Sequence, residues 1–122
     1  MLLTTALRGM SEHKEALLAK GTASNPTYIS EHAHRLAQYI SVAEEKLADL
    51  EYELENNSAK LFDECINSGK SVNASKETVK HELTKERSEV ARVSRLVSSS
   101  WKLVGEAQSR VKHLIAEANN QI

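Results

Sequence analysis

At 122 residues the chain is long enough for one domain and too short for two ordinary ones, and its net charge of −1 argues against a strongly basic nucleic-acid coat. Aromatic residues make up 4%, with one Pro and four Gly, a balance that starves turns and β-strands and points to an all-α protein. With so few large rings, Ala, Leu and Val must fill the interior. That suits narrow helix–helix seams and predicts an elongated antiparallel helical hairpin or bundle that oligomerises.

The opening MLLTTALRGM lacks the basic start, long apolar stretch and cleavage site of a secretory signal. Nothing resembles a membrane span. The single Cys65 has no intrachain disulfide partner. A reducing cytoplasm is the expected location, the host's own if the protein is phage-encoded.

In chain order, residues 11–20 predict a short first helix with Ser11 as N-cap and Gly21 as its stop. Residues 21–26 read as a linker, in which Asn25 caps the next helix and Pro26 occupies its first turn. A long helix is expected over 27–67. Its apolar positions Ile29, Ala33, Leu36, Ile40, Ala43, Leu47, Leu50, Leu54 and Leu61 alternate steps of four and three through one polar member, Asn57. Gly, Ser and Asn cluster over 68–74, which predicts the reversal. A second long helix is expected over 75–119, capped by Ser75, with the same rhythm through Val79, Leu83, Glu86, Val90, Val93, Val97, Ser100, Val104, Ala107, Val111, Leu114 and Ala118. At 1.5 Å per residue each long helix spans roughly 60 Å.

The near-neutral total hides an asymmetry. Residues 1–69 carry 6 Lys/Arg against 11 Asp/Glu, net −5, whereas residues 70–122 carry 10 against 6, net +4. An antiparallel hairpin turning near residue 71 lays the acidic run Glu44 to Glu55 beside Arg87, Arg92 and Arg95, so interhelical pairs across the seam are expected.

Trp101, the only tryptophan, follows Ser98-Ser99-Ser100 and lies one residue beyond the seam. With Leu96 and Leu103 it widens the apolar stripe into a face that needs more than one partner helix. That face reads either as an interface with the N-terminal helix or another subunit, formed by Leu96, Trp101 and Leu103, or as a ligand-facing surface.

Convergent catalytic chemistry is absent from the sequence, and the chain reads as non-enzymatic and free of cofactors. Ser68-Gly69-Lys70-Ser71 imitates the end of a phosphate-binding loop, but Glu64 stands where that motif needs its first glycine. Glu31 and His34 have the spacing of a carboxylate-bridged metal motif without the second such step. His13, His81 and His113 are scattered, and Cys65 reads as a small hydrophobe on an apolar stripe. Lys60, Lys70, Lys76, Lys80 and Lys85 gather around the reversal, balanced in part by Glu64, Glu77 and Glu82. They read either as phosphate contacts or as a solvated helix end.

The second arm, reading SVNASKETVKHEL and then VSSSWKLVGEAQSRVKHLI, resembles, with the heptad arm before it, small phage recombination mediator proteins of the UvsY type over residues 30–118. The resemblance implies homo-oligomeric rings that bind single-stranded DNA and help load a recombinase onto strands covered by single-strand-binding protein. Ser58-Ala59-Lys60-Leu61 is similar to the family's short basic stretch and implies DNA contact at Lys60, with Ser58 where the family carries a second basic residue. Lys70, Lys76 and Lys80 join Lys60 as the expected nucleic-acid residues. The competing expectation is a helical protein–protein module, such as an adaptor or a phage-encoded inhibitor of a host protein.

Overall fold

The computed structural model describes residues 1–19 and 24–120. It is all-helical, with no strand among the described residues: α1 (Leu3–Leu18), α2 (Pro26–Asn67), α3 (Val72–Glu82) and α4 (Thr84–Asn120). Two of the helices are long, at 42 and 37 residues.

The first helix begins eight residues earlier than Ser11. Leu2 precedes it without a side-chain cap, so packing rather than capping fixes the start: Ala6, Met10 and Leu17 recur at helical spacing and are buried. Gly9 sits inside α1, where a glycine costs about 0.5–1 kcal/mol against Ala. Its place is a close approach, because a Cβ there would stand 2.6 Å from ring atoms of Tyr39. The expected stop at Gly21, and residues 20–23 of the predicted helix end and linker, lie outside the described residues.

α2 opens as the sequence suggests. The Asn25 side-chain oxygen accepts from the Tyr28 N–H at 3.1 Å, and Pro26 takes the first helical position, where its missing N–H costs nothing. At the other end the N–H of Gly69 donates to the Ile66 carbonyl and that of Lys70 to the Cys65 carbonyl, at 3.0 and 3.1 Å. This paired closure needs a left-handed residue, supplied by Gly69 at φ 97°.

The reversal is shorter than 68–74. Ser71, not Ser75, caps α3: its hydroxyl accepts from the Ala74 N–H at 3.2 Å, while the Ser75 hydroxyl donates to the Ser71 carbonyl and is buried. Once Gly69 has turned the chain, Ser71 is the first residue able to cap, and the helix gains a turn. The second arm is also not continuous. Leu83, at φ −104° and ψ 18°, separates α3 from α4, and the Thr84 hydroxyl donates to the carbonyls of both Lys80 and His81 at 2.9 Å. A threonine bonding back to the preceding turn bends a helix without any Pro or Gly.

The chain forms two compact units, Met1–Glu44 with Arg95–Ile122, and Glu45–Ser94. The first contains α1, the N-terminal part of α2 and the C-terminal part of α4. Its α2 seam, Ile29, Ala33, Leu36, Ile40 and Ala43, is at most 3% exposed, and Val97, Ser100, Val104 and Ala107 of α4 are buried too. The second contains the rest of α2, α3 and the start of α4. Here Cys65, Ser75, Val79 and Val93 are buried, Leu47, Leu50, Leu54 and Leu61 are half-buried, and the polar seam members Asn57 and Glu86 are exposed.

Candidate nucleic-acid interface

Lys60, Lys70, Lys76 and Lys80 are all exposed in the second unit. Lys76 and Lys80, one helical turn apart on α3, line a groove of about 500 Å³ together with Arg87 at the start of α4. Phe62, Ala59 and Val79 give the groove apolar surface, and Asp63 and Glu77 put two carboxylates on the same lining. Lys60 is not among the lining residues. Lys70 stands apart as well, its ammonium donating to the Thr78 hydroxyl at 3.2 Å. The four lysines therefore divide into a pair sharing one groove and two separate surface charges.

Sequence reasoning overlooks Arg87 and Phe62 as groove residues. It pairs Arg87 with the acidic run, yet residues 76, 80 and 87 fall along one helical stripe, a legible signal. Phe62 follows the seam residue Leu61, and nothing in the sequence marks it. The expected pairing across the seam is corrected within this unit: among its described residues no ion pair joins the run from Glu45 to Glu55 to Arg87 or Arg92. The physical reason is small energy, since exposed pairs gain only about 0–1 kcal/mol and leave long side chains free.

The phosphate-loop mimic is spoken for by its own backbone. The N–H groups of Gly69 and Lys70 close the end of α2, the Ser68 hydroxyl donates to the Cys65 carbonyl at 2.8 Å, and the Ser71 hydroxyl caps α3. A loop that cradles phosphate needs those N–H groups pointing outward and unpaired.

In the first unit Leu96 and Leu103 are half-buried and Trp101 is 38% exposed, its indole N–H donating to the Glu44 carboxylate. Leu103 shares a small hollow with Leu17 of α1, Ile29 and Ala107, so part of the wide α4 stripe faces the N-terminal helix. Ser100, fully buried beside Trp101 in sequence, has no hydrogen-bond partner for its hydroxyl among the described residues.

Glu31 and His34 are both exposed, and no group of three or more His, Cys, Asp or Glu among the described residues is placed to hold a metal ion. The histidines are not all scattered, however. His13 of α1 and His32 of α2 bring their Nδ1 atoms to 2.8 Å, a pairing between helices that sequence spacing cannot show. Burial, the neighbouring His32 and the Arg35 guanidinium lower the proton affinity of His13, against a smaller opposing effect of Glu12.

No helix among the described residues is long and apolar enough to cross a membrane. Comparison of the chain with protein-family models, curated protein sequences and solved structures finds no match.

Proposed function

We propose that the chain is a non-enzymatic accessory protein of DNA metabolism that binds single-stranded DNA along α3 and the start of α4. The observation that carries this reading is the joint placement of Lys76, Lys80 and Arg87 on one groove with Phe62. Three cations on one groove suit successive phosphates, and an aromatic ring offers any base a face to stack on, worth about 1–3 kcal/mol per base without sequence preference. Asp63 and Glu77 on the same lining hold the affinity down, while the cation–phosphate contacts make it sensitive to salt. Following the resemblance to UvsY-type mediators, the protein works in the cytoplasm as a homo-oligomer, assembled through the α4 face of Leu96, Trp101 and Leu103, and assists loading of a recombinase onto strands occupied by single-strand-binding protein.

The test is light scattering for the mass, followed on the same sample by fluorescence anisotropy with labelled single-stranded DNA at low and moderate salt. An oligomer whose binding weakens steeply with salt supports the reading, and absence of binding at low salt removes it.

A second reading rests on the second unit's apolar seam. Leu47, Leu50 and Leu54 remain half-exposed and Tyr52 is 67% exposed, a surface suited to a partner helix in a protein–protein module. Association through such a seam persists at moderate salt, where phosphate binding collapses.

A further inference from the structure

Four rings join α1 to α2 within the first unit. Tyr28 and His32 lie 4.2 Å apart between centroids, His32 and His13 5.1 Å, and His13 stacks on Tyr39 at 5.6 Å with 22° between planes. Tyr39 in turn lies against Gly9, one α1 turn before His13. The middle of this row is the 2.8 Å Nδ1 to Nδ1 contact. One nitrogen must donate and the other accept, so the contact tolerates at most one imidazolium. A second proton makes both nitrogens donors and sets two positive rings side by side.

We propose that the His13–His32 contact is a proton-operated latch, and that mild acidification releases α1 from α2 within the first unit. α1 is the element such a latch can control. It has 16 residues, no side-chain N-cap and no acid in its first turn, and a helix of this length is marginal in water on its own. Its hold comes from Ala6, Met10 and Leu17, and release uncovers Ile29 and Leu103, which share a hollow with Leu17.

The charges acting on His13 favour release. Glu12, on its own helix, opposes the effect, while His32 and Arg35 on α2 both disfavour a proton there; α4 contributes no charge to it among the described residues. Because docking lowers the proton affinity of His13, the released state binds the proton more readily. Docking is therefore at full strength above the ordinary histidine value of 6.5 and is lost progressively as pH falls below it.

The experiment is amide hydrogen exchange on the full chain between about pH 5 and 7.5, where the histidine range lies, corrected for intrinsic rates and read helix by helix, with thermal unfolding alongside. Uptake of one proton on release predicts that α1 protection falls by up to tenfold per pH unit below about 6.5, while α4 changes less. His13→Asn keeps an amide donor near the Nδ1 position without a titrating proton, and His13→Phe keeps the ring stack, so either variant that remains folded should show a flat α1 profile. Equal loss of protection in α1 and α4, a flat wild-type profile, or a variant that keeps the wild-type slope overturns the latch.

Discussion

The two compact units carry the same heptad rhythm on α2 and treat it differently. Before Glu44 the seam residues are sealed; after Glu45 the leucines at equivalent positions stay half-exposed. The difference is α1, a helix outside the two arms. α1 supplies Ala6, Met10 and Leu17 to the first unit, whereas the second has no helix beyond those joined by its own turn. A heptad repeat states that a helix has a partner face, and the number of partners decides how much of that face leaves water.

The largest contrast should come from matched truncations. Leu36→Ala is expected to cost about 2–5 kcal/mol, the range for a sealed core, while Leu50→Ala should cost about 1 kcal/mol because its side chain already meets solvent; denaturant unfolding of both checks the difference. Equal costs would mean that something else covers the second seam. Gly9→Ala is expected to destabilise by about 1–3 kcal/mol through its clash with Tyr39, outweighing the gain in helix propensity. Tyr39→Leu should remove most of that penalty in the double variant, and an additive pair would break the assignment. Ser100→Ala should stabilise, by up to about 1 kcal/mol, since it deletes a buried hydroxyl without a partner; a loss of similar size would reveal a hydrogen bond that the described residues do not supply.

Much of the architecture is legible from residue spacing. The seam from Ile29 to Ala43 and that from Val93 to Ala107 follow the four-three rhythm into burial, and Asn25-Pro26 marks the start of α2 by chemistry that acts over three residues. Where spacing misleads, the deciding contact lies far away in sequence or is locally ambiguous. Nothing in the spacing around Gly9 shows that Tyr39 lies against it. Ser71 and Ser75 are both competent caps, and only the left-handed Gly69 decides between them. Thr84 interrupts the second arm through a side-chain bond that propensity does not encode. For the candidate site, spacing alone places Lys76 and Lys80 together, but it does not bring Phe62 to them, and it counts Lys60 and Lys70 in a cluster whose members the fold separates.

The groove carries the function proposed for the second unit, and one paired titration tests it: the salt dependence of single-stranded DNA binding for the wild type and for Lys76→Gln/Lys80→Gln/Arg87→Gln. Each lost phosphate contact should reduce the slope of log affinity against log salt by about 0.7, so the triple variant should bind more weakly and with a slope shallower by about 2. A wild type that binds with a steep slope, and a variant that binds with the same slope and strength, would place any phosphate contacts elsewhere and contradict the assignment of this groove.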